Sequence, residues 1–181
     1  KSDYIAYSED PSIESFENLT VGNFTRILFQ YQKRFPIHPK MTLIINPEFG
    51  FMFTDNRDPS SNYDKSSGFE YHFGGNLTNF KRYLFSFYGL NRNQVNAFQF
   101  MHLGTSLQIN PVSKFYITPH ANYISASRGY FDEYIEDAFW PKYKWYDENS
   151  FAACYLYSLG STFSYNSVIG PINIDFTGVG G

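Results

Sequence analysis

The stretch "KMTLIINPEFGFMFT", residues 40–54, is apolar at every second position from Met41 to Phe53. Side chains on a β-strand point alternately to two faces, so this period predicts a strand with one wholly apolar face. The run is much longer than the about five or six residues usual for a strand in a soluble protein. A second layer of protein or a layer of lipid must therefore cover its tall apolar face.

The same period of two recurs along the chain and predicts an all-β, antiparallel fold of about seven strands. Besides the first stretch, the predicted strands are residues 25–33, 67–73, 98–109, 114–125, 151–165 and 170–177.

Tight turns are predicted at 110–113 and 165–168, where Asn, Pro and Ser cluster. Long connections are predicted at 74–94 and 128–150, at the opposite, outer end of the strands. Short turns at one end and long loops at the other are typical of outer-membrane barrels. The same alternation places the long stretch 55–66 with the tight turns, which conflicts with this scheme.

The period also assigns side chains to faces. Lipid should meet the apolar set, which comprises Met41, Leu43, Ile45, Phe49, Phe51, Leu103, Leu107, Ile117, Tyr157 and Leu159. The barrel axis should be lined by the opposite set, which includes Glu48, His102, His120, Ser158, Gly160 and Asp175.

The composition of the 181 residues narrows the class of protein. Aromatic residues make up 21% and charged residues 17%, against about 25% charged in a typical soluble domain. The net charge of −3 gives no basic footprint, so no nucleic-acid partner is expected. No run approaches the about 20 apolar residues of a membrane helix. This criterion does not apply to barrel strands, which alternate apolar and polar residues. A transmembrane barrel and a small soluble β-barrel that binds an apolar ligand both stay open.

Two motifs carry a resemblance to a known family. "FEYHFGGNLTNFKRYLFSFYGL" (69–90) joins an aromatic strand to a long loop, and "GSTFSYNSVIGPINIDF" (160–176) joins two strands by a tight turn. Together they resemble the C-terminal half of the bacterial surface antigen (BamA-type) outer-membrane β-barrel, and are most similar to the barrel of patatin-like outer-membrane phospholipases. The resemblance runs from about residue 20 to residue 177.

This resemblance implies an antiparallel transmembrane β-barrel of about sixteen strands in the bacterial outer membrane, of which this chain supplies part. Residues 1–19 would be an N-terminal extension or loop, and residues 20–181 the C-terminal part of the barrel without its last strand. Implied partners are outer-membrane lipid, the remaining strands, an N-terminal passenger domain and other outer-membrane proteins. The barrel would anchor an attached patatin-like domain or form a conduit for it.

Neither a catalytic residue nor a cofactor is predicted in this chain. The Gly-x-Ser-x-Gly elbow of patatin-type enzymes is missing from the sequence, so phospholipase activity would belong to another domain of the parent protein. The histidines and carboxylates lack the spacing of metal ligands, and no metal is predicted. His72, His102 and His120 are expected on neighbouring strands. The predicted lumen-facing polar residues are Glu48, His72, Arg82, His102, His120 and Asp175, with Arg82 in the role that the resemblance gives to an arginine of the inward-folding loop.

An aromatic cluster lies near the end of the second long connection. Trp and Tyr collect where a membrane meets water, because an apolar ring with a polar edge suits that layer. A packed core within the loop and a surface for a partner protein are the alternatives. The predicted membrane-interface residues are Phe139, Trp140, Tyr143, Trp145 and Tyr146.

Overall fold

The computed structural model describes residues 24–54, 70–74, 84–91, 94–145 and 152–181. Within these ranges the chain is almost entirely β. The elements are β1 (Phe24–Gln30), β2 (Lys33–His38), β3 (Met41–Thr54), β4 (Tyr71–Phe73), β5 (Leu84–Phe85), β6 (Val95–Ala97), β7 (Gln99–Val112), β8 (Phe115–Ser127), α1 (Phe131–Asp137), β9 (Tyr143–Lys144), β10 (Cys154–Ser167) and β11 (Gly170–Gly180).

One large sheet dominates the described part of the chain, in the order β1-β3-β7-β8-β10-β11. Neighbours on this path are antiparallel, while β2 pairs with β3 and the short β9 runs parallel to β10. β1 and β2 keep one register against β3, and the Tyr31 amide between them donates to the Pro47 carbonyl at 3.1 Å. They therefore act as one long strand.

The predicted fold class is confirmed, but the assignment of 67–73 to the same sheet is wrong. Tyr71–Phe73 forms β4 in a separate three-stranded sheet of order β5-β4-β6. Its alternation is real, because Tyr71 and Phe73 are both buried. However, a period of two cannot tell a strand that joins a sheet from one that packs on it. Among the described residues the large sheet thus has six rows of strands rather than about seven.

The two kinds of connection lie at opposite ends of the large sheet. Tight turns at residues 39–40, 113–114 and 168–169 share one end, because the strands that they join are antiparallel neighbours. The chain leaves the other end after β3 and after β8. The connections that contain residues 74–94 and 128–150 both leave and re-enter the large sheet at this end, as predicted, while residues 75–83, 92–93 and 146–150 themselves fall outside the described ranges. The conflict at 55–66 disappears, because that stretch and 74–94 belong to one connection between β3 and β7.

The small sheet packs on one face of the large sheet, which we call the inner face, and the opposite face is the outer face. Tyr71 and Phe73 meet Phe100 of β7 with ring centroids 4.9 and 4.7 Å apart. Their core includes the inner-face residues Ile124 and Leu156. This apolar core covers the inner face near the end where the long connections leave.

The register confirms the predicted division of side chains between two faces. Every second residue of each long strand shares a face with its cross-strand partners, as in the pairs Glu48↔His102 and Leu43↔Leu107. All ten residues of the predicted apolar set lie on the outer face, and all six predicted to oppose them lie on the inner face. The outer face remains exposed over much of its area, as at Leu159, which is 61% exposed.

Candidate functional site on the inner face

A belt of polar side chains crosses the inner face beside the apolar core. At one side of the belt, Glu48 and His102 are direct cross-strand partners on β3 and β7, with Oε2 and Nδ1 2.8 Å apart. Gln30 of β1 donates to the other carboxylate oxygen at 3.1 Å. His102 is buried, so little water reaches this bond.

At the other side of the belt, His120 of β8 faces β11. Thr162 donates to Asp175 Oδ2 at 2.6 Å, and the Thr177 hydroxyl makes a short hydrogen bond to Asp175 Oδ1. A threonine hydroxyl has one proton, which here goes to the carboxylate. His120 Nε2, 3.1 Å from Thr177 Oγ1, must therefore be the donor of that bond, and Thr177 the acceptor.

Between these two clusters, Asn122 and Ser158 continue the belt. The Asn122 side-chain amide donates to Ser158 Oγ at 3.1 Å, and both residues are buried. Gly160 is the cross-strand partner of His120, and a Cβ there would lie 2.7 Å from His120 Nε2 and 2.5 Å from the Phe176 carbonyl oxygen. A glycine at this position lets the histidine approach the backbone of β10.

The segment 84–91, from the long connection between β3 and β7, lies over the belt. The Tyr88 ring stacks on His120 with centroids 4.2 Å apart, and the Phe87 ring is 5.9 Å from that of His102. Gly89 has a φ of +86°, and a Cβ there would collide with Val179 and Thr177 of β11. Glycine is therefore required at this position for two reasons: the backbone conformation and the lack of space for a side chain.

Burial alters the acidity of the Tyr88 side chain. Desolvation, and secondarily the carboxylate of Asp175, raises the pKa of the Tyr88 phenol above its ordinary value. The ring therefore stays neutral at physiological pH, and its stacking on His120 involves no phenolate charge.

Four of the six predicted polar residues share this belt or its edge, one lies in the small sheet, and one falls outside the described residues. Glu48, His102, His120 and Asp175 are on the inner face. The expectation that His72 lies on a strand next to those of His102 and His120 is wrong, because His72 is in β4 of the small sheet and bonds Asn96 at 2.7 Å. Arg82 lies outside the described residues.

The residues that sequence analysis missed come from the docked segment and from hydroxyl partners. Phe87 and Tyr88 occupy a connection, where a period of two carries no information about facing. Thr162 and Thr177 fall on the predicted polar faces, but their role depends on which carboxylate faces them. Among the described residues, no group of three or more His, Cys, Asp or Glu side chains could hold a metal ion.

The predicted interface aromatics separate in the structure. Phe139, Trp140 and Tyr143 are exposed. Trp145 is partly buried and packs against the apolar core of the inner face instead. Tyr146 lies outside the described ranges.

Long antiparallel strands with an exposed apolar outer face and a polar belt inside define the class of transmembrane β-barrel walls. The chain matches the OMP85 superfamily over residues 6–178, and it belongs to that superfamily. This membership points to the bacterial outer membrane and to a β-barrel role there. A search of curated proteins found no match to the chain. In the described ranges, no helix is long and apolar enough to cross a membrane.

Proposed function

We propose that this chain forms part of the wall of an outer-membrane barrel, with its outer face in lipid and its inner-face belt lining the lumen. The observation that carries the proposal is the division of faces along β3, β7, β8, β10 and β11, to which Lys33 of β2, the cross-strand partner of Ile45, is an exception. Apolar residues such as Leu103 and Leu159 are exposed on the outer face, while His102 and His120 are buried on the inner face. Water would not favour a broad exposed apolar sheet, whereas hydrocarbon would.

The small soluble barrel that binds an apolar ligand is less well supported. Such a protein would turn its apolar side chains toward an enclosed core. Here the described core is on the inner face. Ile174 and Phe176 of β11 point to the outer face instead, and both are more than half exposed. The superfamily membership favours the membrane barrel as well.

Cysteine accessibility in native outer-membrane vesicles tests the proposal. Ser106 and Leu107 are neighbours on β7 that point to the inner and the outer face. With the native thiol removed by Cys154→Ser, we expect Ser106→Cys to react with a water-soluble maleimide and Leu107→Cys to stay protected. The matched pair controls for position along the strand. Equal, rapid labelling of both cysteines would contradict lipid contact.

Within that role, we propose that the barrel anchors an attached patatin-like domain or forms a conduit for it. Support comes from the motifs at 69–90 and 160–176, which are most similar to the barrels of patatin-like phospholipases. The apolar core and the docked segment obstruct the inner face near the long connections, which favours anchoring over a permanently open pore. The native polypeptide should contain a Gly-x-Ser-x-Gly hydrolase domain whose serine is needed for phospholipase activity. A different attached domain would overturn this part alone.

A further inference from the structure

Helix α1 lies against the outer face of the large sheet rather than above its end. The Phe131 ring is 5.2 Å from that of Phe51 and 4.9 Å from that of Phe53, both on the outer face of β3. Tyr134 is completely buried, and its hydroxyl donates to the Ser125 carbonyl of β8 at 3.0 Å. Met101 of β7 packs in the same cluster. The helix therefore crosses three strands on the side where the proposed function places lipid.

The opposite side of the helix restricts where hydrocarbon can reach. Asp132, Glu133 and Glu136 are exposed on α1. A charged side chain on the lipid face costs free energy that grows toward the middle of the bilayer and is small near its surface. Hydrocarbon must therefore end at the level of the helix, next to Phe51.

The length of the apolar outer face agrees with this boundary. From Phe51 to Met41 is ten residue steps along β3. At about 3.4 Å a step and a tilt of about 40°, this distance spans about 26 Å of height. The apolar band of outer-membrane barrels is about 25 Å tall. The two ends of the band thus fall at α1 and at the turn that contains Lys40.

Two large rings follow the helix with little protein around them. Phe139 is 68% exposed and Trp140 is 87% exposed, although Ala138 beside them is buried against Ala153, which precedes β10. Lys142 follows and pairs with Asp137 at 3.1 Å. Aromatic rings next to charged groups suit the boundary between acyl chains and headgroups.

We propose that residues 131–143 form an interfacial foot, by which we mean a segment that packs on the outer face and contacts the lipid surface. It lies at the end of the barrel where the long connections leave. The partner is the boundary layer of the outer leaflet, where Phe139 and Trp140 insert among lipids while the acidic side of α1 stays in the headgroup layer. The inference rests on the proposed function, because it requires lipid on the outer face. It specifies how deeply the barrel sits in the bilayer and gives helix α1 a role.

Depth-dependent quenching in the full-length protein, reconstituted in phospholipid vesicles, tests the foot. In a Cys154→Ser background, an environment-sensitive fluorophore is attached at Trp140→Cys, at Leu159→Cys in the middle of the outer face, or at Val168→Cys in a tight turn. We expect a larger loss of fluorescence at position 140 with a lipid quencher near the headgroups than with one near the bilayer centre. Position 159 should show the reverse order. Position 168, at the other end of the strands, should lie at the opposite surface of the bilayer.

The outcomes separate the foot from the function on which it rests. Quenching at 159 with none at 140 would overturn the foot and leave the membrane wall intact. No quenching at 159 would overturn the membrane wall itself. Efficient disulfide cross-linking between two copies through Trp140→Cys would assign the surface to a second copy of the protein and overturn the lipid proposal.

Discussion

At the scale of single residues, Gly160 shows how little room the inner face leaves for change. An added Cβ would lie 2.5 Å from the Phe176 carbonyl oxygen and 2.7 Å from His120 Nε2, so backbone and ring would both have to move. We expect Gly160→Ala to lower the free energy of unfolding by about 1–3 kcal/mol, as overpacking does. Denaturant titration of the purified protein in detergent measures this loss. Gly178→Ala on β11, where a Cβ meets nothing within 4 Å, is the matched control and should change little.

Gln99 is a second residue whose side chain performs a backbone role. Its amide nitrogen donates to the Met52 carbonyl at 2.7 Å, and its oxygen accepts from the Met52 amide at 3.1 Å. The side chain thus replaces a peptide group where the β3–β7 pairing ends at Gly50↔Phe100.

Replacement of this side chain should leave two buried backbone groups unpaired. We expect Gln99→Leu to cost about 1–3 kcal/mol for each group that water cannot reach. The exposed Gln108 on the same strand provides the control, and Gln108→Leu should be close to neutral. Equal stability of the two variants in the denaturant titration would mean that Gln99 has no such role.

At the scale of elements, the segment 84–91 is held to the wall by aromatic contacts with histidines. The pKa of Tyr88 is raised by burial and secondarily by Asp175, so the folded protein binds the phenolic proton more tightly than the unfolded chain does. The resulting stabilisation is fully present below the unfolded pKa of about 10 and is lost as pH rises through the folded pKa.

We therefore expect the unfolding midpoint to fall above about pH 10, and to fall less in Tyr88→Phe, which keeps the ring and removes the proton. The pKa of Tyr134 in α1 is also raised, chiefly by burial, so Tyr134→Phe provides the comparison at a second site. Unfolding midpoints at a series of alkaline pH values measure both effects. An identical alkaline loss with and without the Tyr88 hydroxyl would show that this phenol does not contribute.

At the scale of the whole molecule, the large sheet is open in the described part of the chain. β1 and β11 each pair on one side only, so a row of backbone groups on each lacks a strand partner there. Lipid cannot satisfy such groups, each of which costs several kcal/mol, and in water they promote association.

Residues 1–181 expressed by themselves should therefore form inclusion bodies that do not refold in detergent to a heat-resistant barrel. Gel mobility with and without heating, together with protease resistance, provides the measurement. A monodisperse, protease-resistant monomer would contradict this expectation and would favour the small closed barrel.

Much of the fold follows from local periodicity. In residues 40–54 and their counterparts on β7, β8 and β10, side-chain facing depends only on position along the strand. The division into outer-face and inner-face sets, the fold class and the common end of the two long connections could therefore be predicted from the sequence. His102 and His120 could be placed on the inner face for the same reason.

What packs on each face was decided only by the tertiary structure. Tyr71–Phe73 has the same alternation as a wall strand, yet it lies in a second sheet, because neighbouring β-strands are chosen by long-range contacts that periodicity does not encode. The stacking of Tyr88 on His120, the hydrogen bond between His120 and Thr177, and the packing of Phe131 on Phe51 also join residues far apart in the sequence. Local pattern determines which way a side chain points, and the folded chain determines what it meets.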